Sequence, residues 1–274
     1  MPLLTDEQWF QYFTQGYLNL GPVLSGADLT DLQRRIDDIM LGKIRNDKLM
    51  MQLDKGGDYS NMAEMTVGFK GPTLEYRKIE NLEFDPLFLA YQQRPIFREL
   101  CAEIYGGHAG VSVWRAMFMN KPAHKGTLLP WHQDGGESWG LDRDPLLTVW
   151  TALDPATVAN GCVQVIPGSH RLGLLSKQGH VISEEHVRQY CAPEKTVFLE
   201  LKAGEVAILH NFLLHRSDVN KSDIARRGFS VNYMDARTKR TRDGRAFSTV
   251  FGENALTVEG VQQFSVPAAE PAAV

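Results

Sequence analysis

The sequence predicts a mainly β protein, an antiparallel sandwich or barrel buttressed by helices near its N-terminus. Two observations carry that expectation. From Val111 onward, runs of four to nine β-branched and aromatic residues recur, most of them separated by Pro, Gly, Asn or Asp turns. Many short strands in succession suit an antiparallel sheet better than a parallel one. Before residue 105 the apolar spacing is mostly helical instead.

Taken in order, Thr5-Asp6-Glu7-Gln8 reads as a capping box, because the Thr hydroxyl and the Gln amide satisfy each other's orphan backbone groups. Trp9, Phe10, Tyr12 and Phe13 give the helix an aromatic face, and Gly16 ends it. Tyr17 to Leu20 alternates as a short strand. Leu29, Leu32, Ile36 and Ile39 recur at helical spacing before Gly42. Asp85-Pro86 is a helix start, and Pro95 opens a second helix running to Tyr105. Between them, Asp54 to Phe69 is rich in Gly, Asp, Ser and Asn with scattered Met, and reads either as disorder or as a mobile cover for a site. The strand runs that follow are VSVWRAMFM, PLLTVWTAL, CVQVIP, TVFLEL, EVAIL and FSVNYM. No repeat, low-complexity tract or linker divides the chain, so one domain over residues 1–274 is the simplest organisation, helical mostly in 1–105 and β over 111–236.

Composition narrows the function classes. The chain has 274 residues, 43% hydrophobic and 23% charged, with a net charge of −4, which carries no basic footprint for nucleic acid. No window approaches the roughly 18 apolar residues of a membrane span, and the opening MPLLTDEQWF lacks the pattern of a signal peptide. A cytoplasmic protein is expected. Cys101, Cys162 and Cys191 suit neither a disulfide framework nor a zinc knot and read as small buried hydrophobes.

His132-Gln133-Asp134 follows Pro130-Trp131 and leads into Gly135-Gly136. In an extended segment residues two apart point the same way, so His132 and Asp134 can share one metal ion. His215, just after the strand Glu205–Leu209, is the best candidate for a third ligand. Two imidazoles and one carboxylate on one face of an iron leave three positions open, as O2 and a bidentate 2-oxo acid require. A bare His-x-Asp is common by chance, and a lone histidine is more often a core or surface residue. The joint pattern is less common, because Arg226 follows on the same side of the sequence. Its planar fork pairs bidentately with a carboxylate; taken alone, it would read equally well as a surface member of the pair Arg226-Arg227.

With these residues in place the chain resembles the phytanoyl-CoA dioxygenase family of iron(II)- and 2-oxoglutarate-dependent oxygenases over nearly its whole length. Gly16-Tyr17-Leu18, Tyr76-Arg77-Lys78-Ile79-Glu80-Asn81, Met117-Phe118-Met119-Asn120-Lys121-Pro122 and His132-Gln133-Asp134 fall in the family's order. So do Asn160-Gly161-Cys162, Pro167-Gly168-Ser169-His170 and the segment from His215 to Arg226. The resemblance implies a double-stranded β-helix (a cupin-like jelly-roll), Fe(II) held by His132, Asp134 and His215, and O2 as oxidant. It also implies 2-oxoglutarate contacts from Lys78, Met117, Gln133, Trp150, Ser217 and Arg226, with Arg226 and Ser217 on the remote carboxylate and Met117 and Trp150 along the methylenes. The turns at Gly161 and Pro167–His170 shape the barrel, with His170 structural.

Related iron halogenases replace the metal carboxylate with a small residue. Asp134 is present, so the resemblance implies hydroxylation of an unactivated C–H bond in a small metabolite, with desaturation, cyclisation or endoperoxide formation as known departures. The peroxisomal, lipid-CoA role of the founding members does not follow. The basic stretch Arg237, Lys239, Arg240, Arg242 and Arg245 reads as a solvated loop or as a meeting place for an anionic substrate. Trp114, Trp139 and the 54–69 segment would suit a less polar one. Two other readings stay open: a non-catalytic metal- or ligand-binding jelly-roll, and a cupin-like metalloenzyme of different reaction type.

Overall fold

In a computed structural model, residues 4–268 are described apart from 58, 108–109 and 179. Helix α1 (Asp6–Gln15) leads into strand β1 (Tyr17–Pro22), helix α2 (Gly26–Met40) and the short strands β2 (Ile44–Arg45), β3 (Met50–Leu53) and β4 (Thr66–Val67). Strand β5 (Tyr76–Glu80) precedes α3 (Pro86–Gln92) and α4 (Pro95–Tyr105). Strands β6 (Val111–Lys121), β7 (Leu129–His132), β8 (Leu147–Ala152) and β9 (Val163–Val165) come before α5 (Glu184–Tyr190). Then follow β10 (Val197–Leu199), β11 (Glu205–His210), β12 (His215–Ser217), β13 (Arg226–Asp235), β14 (Thr249–Phe251), α6 (Val258–Gln262) and β15 (Val266–Pro267).

The strands form two antiparallel sheets of very different size and a separate antiparallel pair, β2 with β15. The larger runs β1-β11-β8-β13-β6-β5-β3-β4, with β14 paired to β6; the smaller runs β10-β9-β12-β7. This is the jelly-roll arrangement. All six runs read as strands in the sequence are strands, trimmed by a residue or two or extended into their turns. The N-terminal region is not helical throughout, because β1, β3, β4 and β5 enter the large sheet from it.

Local chemistry explains the helices. The Thr5–Gln8 capping box forms in both directions, and Gly16 closes α1 at φ 81°. That glycine is required twice over, since a Cβ there would also lie 2.5 Å from the His170 ring. Asp85 caps α3 through the Leu87 and Phe88 amides, and Pro95 opens α4. Leu32, Ile36, Ile39 and Met40 of α2 join Phe88, Leu89, Phe97 and Leu100 on the outer face of the large sheet. Burial there takes apolar side chains fully out of water, each contributing roughly 1.5–3 kcal/mol. The core of this layer fixes the back of the sheet, leaving its other face for the small sheet. Cys101, Cys162 and Cys191 are buried free thiols. Among the described residues, no helix is long and apolar enough to cross a membrane.

Candidate metal centre and carboxylate pocket

The cavity lies between the two sheets, and strand alternation decides what faces it. On the large sheet, β13 offers Arg226 and Ser230, β8 Thr148 and Trp150, and β6 Arg115, Met117 and Met119. Cross-strand register aligns them: Ser230 pairs with both Trp150 and Met117, and Gly228 with Met119. A Cβ on Gly228 would sit 2.6 Å from Trp150 Cζ2, so the missing side chain lets the indole lie across the strand. On the small sheet, β7 and β12 bring His132 and His215 into direct register, and Val163 of β9 lies opposite Ser217. About 770 Å³ of empty space is enclosed, open solvent at its mouth included.

His132, Asp134 and His215 converge with one ligand atom each, all within 4.8 Å of one another. The Nε2 atoms of His132 and His215 each lie 3.9 Å from an Asp134 oxygen. Each imidazole is oriented by its own strand: His132 Nδ1 bonds Pro130 O at 2.8 Å and His215 Nδ1 bonds Leu213 O at 2.9 Å. With Nδ1–H donating to those carbonyls, both Nε2 lone pairs point into the cavity, as metal ligation needs. Burial, with His215 and His180 nearby, pushes His132 well below the ordinary imidazole range, so the ring is neutral. Burial alone would raise the Asp134 carboxyl; His180, His215 and His132 outweigh it and keep the group ionised. Two imidazoles and a carboxylate on one side of a shared point fit an iron(II) ion with an open face.

Gln133 faces the other way. The alternation that turns His132 and Asp134 inward turns its side chain out, where Nε2 donates to Gly173 O and Phe212 O and Oε1 accepts from the Leu175 amide. It does not line the cavity. Of the six residues expected to contact 2-oxoglutarate, Gln133 is the one not brought to the cavity: its side chain clamps the two loops behind the metal centre.

Arg226 occupies the deep end. It is 2% exposed, its guanidinium lies 5.5 Å from the Trp150 ring centroid, and Nε and Nη1 are buried without a hydrogen-bond partner. Burial pushes it down to about 10. Its neighbour Arg227 is the paired one, bonding both oxygens of Asp154 at 2.8 Å. An unpaired buried guanidinium with orphaned donors is costly unless a ligand satisfies it, and a carboxylate matches its fork. Lys78, Met117, Trp150 and Ser217 line the same space. Lys78 is not solvated: burial pushes it down to about 8, against the pull of Glu80 3.5 Å away.

The sequence reading assigned no role to four residues that line the cavity. His180 lines the cavity, its ring edge-on to His132 at 4.5 Å and its Nδ1 3.8 Å from Asp134 Oδ1, an electrostatic contact rather than a hydrogen bond. Tyr59 Oη lies 2.9 Å from His180 Nε2, which brings the 54–69 segment to the site. Arg77 and Arg115 also line it. No local motif marks His180; its place follows from the Val181 bridge to His132. Trp114 and Trp139 flank Arg115 at 5.3 and 5.0 Å rather than lining the cavity. The 237–245 basic stretch lies away from the cavity and is partly paired locally: Arg237 lies against Asp235, and Arg240, Arg242 and Arg245 share Asp243.

Comparison with known proteins agrees with this geometry. The family model for phytanoyl-CoA dioxygenase matches residues 12–228. This chain belongs to the phytanoyl-CoA dioxygenase family. A probable phytanoyl-CoA dioxygenase of Caenorhabditis elegans is 25% identical over 243 residues, covering 85% of this chain and 76% of its own. Solved structures share the fold. EctD from S. alaskensis with bound Fe superposes with a TM-score of 0.64 at 21% identity, over 87% of this chain and 79% of that one. The same protein with 2-oxoglutarate and 5-hydroxyectoine gives 0.65 at 19% identity, over 93% and 82%.

Proposed function

We propose that this family member is a non-haem iron(II)- and 2-oxoglutarate-dependent oxygenase that hydroxylates a C–H bond of a small metabolite. One observation carries the reading. A buried arginine with orphaned donors, Arg226, lines the same cavity as a His-Asp-His set whose imidazole Nε2 atoms are both free. A cupin-like enzyme of another type, or a non-catalytic relic, would have no use for Arg226 in that state.

When bound, iron(II) with 2-oxoglutarate and O2 supplies the oxidation, in which the 2-oxo acid loses CO2 to become succinate and one oxygen atom enters the substrate. His132, Asp134 and His215 would hold the metal and confine its exchangeable positions to one side. Arg226 and Ser217 would bind the remote carboxylate of 2-oxoglutarate, and Met117 and Trp150 would pack on its methylenes. Lys78, still cationic at neutral pH, would add a second positive contact. Tyr59 over His180 closes one wall and limits the access of water. The chain would act as a single catalytic domain, and the cytoplasm is the expected compartment.

The test is stoichiometric. Purified protein with Fe(II) should convert 2-oxoglutarate to succinate with uptake of O2, slowly without substrate, and His132→Ala should not. Succinate formation undiminished in His132→Ala would sink the ligand assignment.

A further inference from the structure

Three cations, Arg77, Lys78 and Arg115, crowd the part of the cavity between β5 and β6; Arg115 faces it in ordinary alternation with Met117 and Met119, whereas Arg77 is there because of an irregularity in its strand. In the β3–β5 pair, Gln52 faces Lys78 and Leu53 faces Tyr76, so Arg77 is the extra residue of a bulge. In the β13–β6 pair, Asn232 faces Arg115 and Tyr233 faces Val113, so Trp114 is extra on β6. A bulge re-aims side chains and breaks strict alternation. Here Arg77 lines the cavity beside its neighbour Lys78, and Trp114 packs against the guanidinium of its neighbour Arg115.

The charges do not cancel. Arg77 spends Nη1 on the neutral Gln52 Oε1 at 2.8 Å and rests over the Tyr59 ring. Arg115 is held between Trp114 and Trp139, and its nearest carboxylate, Glu80, lies 3.8 Å away and is shared with Lys78. Glu80 thus serves both Lys78 and Arg115, while Arg77 forms no ion pair among the described residues, Asp54 and Glu80 acting on it only from a distance. Both guanidiniums are braced by neutral or aromatic neighbours, an arrangement that fixes orientation while leaving charge to be met by a ligand. Arg226 and Ser217 would already account for the remote carboxylate of 2-oxoglutarate.

We propose that Arg77 and Arg115 form a second anion site that selects the substrate, which carries a carboxylate or phosphoryl group. This rests on the oxygenase reading of the same cavity. The anion would anchor one end of the substrate at β5 and β6, leaving a C–H bond further along the molecule to face the metal centre. Specificity would then come from the distance between charged group and reacting carbon. The basic stretch at 237–245 takes no part, since none of its residues lines the cavity.

The experiment uses protein loaded under argon with Fe(II) and 2-oxoglutarate, titrated calorimetrically with butyrate and with methylphosphonate. Wild type should bind at least one probe, and the tighter of the two identifies the group as carboxylate or phosphoryl. Arg77→Gln and Arg115→Gln should each weaken that binding by about tenfold or more, the loss expected of one charge-assisted pair. Arg115→Lys, which keeps the charge, should recover part of it. Affinity for 2-oxoglutarate should stay near the wild-type value in all three. Failure of both probes to bind a wild-type protein that has bound 2-oxoglutarate overturns the proposal. So does a loss of 2-oxoglutarate affinity in Arg77→Gln or Arg115→Gln as large as the loss for the probes, which would give these residues to the co-substrate. Should wild type bind iron but not 2-oxoglutarate, the oxygenase reading fails by itself. The same probes on the iron-loaded protein then decide the anion site: binding weakened by the variants supports it and no binding refutes it.

Discussion

Replacing Arg226 by glutamine separates a ligand-binding arginine from a structural one, because the two roles predict opposite signs. The guanidinium is buried, its Nε and Nη1 have no protein partner, and burial holds it at about 10, well below the ordinary guanidinium range. A cation whose folded value lies below its unfolded one weakens the fold at every pH under the folded value, and the penalty fades only as pH rises from about 10 toward the ordinary guanidinium range. At neutral pH that gap corresponds to about 3 kcal/mol against the folded state. Arg226→Gln relieves this and loses some packing on Trp150, so the protein without 2-oxoglutarate should melt at or above the wild-type temperature. Binding should move the other way. Removing one partner of a buried, hydrogen-bonded charge pair costs about 2–5 kcal/mol, a loss of affinity of about thirtyfold to several thousandfold. Anaerobic equilibrium dialysis of 2-oxoglutarate against iron-loaded protein measures the second effect, and thermal unfolding the first. A lower melting temperature with unchanged 2-oxoglutarate affinity would refute the reasoning and make Arg226 a structural residue.

Three other substitutions probe the surrounding walls. Lys78, pushed down to about 8 by burial, carries a charge penalty that is complete below pH 8 and fades toward its ordinary 10.5. Unliganded stability should therefore rise between those values, and 2-oxoglutarate affinity should fall over the same window. Both trends should flatten in Lys78→Met, as pH-resolved melts and dialysis would report. Gln133→Leu discards three hydrogen bonds to backbone and should destabilise by about 3 kcal/mol, with 2-oxoglutarate affinity of the folded protein little changed. A specific loss of affinity without loss of stability would restore Gln133 to the pocket. Gly228→Ala drives a methyl to within 2.6 Å of Trp150 Cζ2 and should cost about 1–3 kcal/mol by overpacking, visible as a lower denaturant midpoint; an unchanged midpoint would mean that the indole has room to move.

What the sequence discloses about this molecule is largely what short-range physics determines. The Thr5–Gln8 box, the Asp85-Pro86 start and the Pro95 start are local events, and each helix begins where its cap lies. The longer strands announce themselves because alternation needs several residues to be seen. Strands β7 and β12, which carry His132 and His215, have four and three residues, too few for a period, so only the spacing of chemical groups points to them. His180 lies outside any motif and reaches the metal centre through a bridge to a strand far from it in sequence. Bulges are still less legible. Nothing in Tyr76-Arg77-Lys78 says that Leu53 will skip a partner, yet that skip decides whether Arg77 faces the cavity. The outward turn of Gln133 is illegible because membership of a motif does not tell which way a side chain turns; its neighbours on both sides take the inward positions.

The central claim is that His132, Asp134 and His215 bind an iron ion able to chelate a 2-oxo acid that Arg226 orients. Anaerobic titration of the metal-free protein with Fe(II), followed by 2-oxoglutarate, tests it directly through the weak visible charge-transfer absorption of the iron(II)–2-oxo acid chelate. The account predicts one iron per chain and a band that saturates with 2-oxoglutarate, absent in His132→Ala and needing far more ligand in Arg226→Gln. Iron bound without any band, or a band of equal strength in His132→Ala, would contradict it.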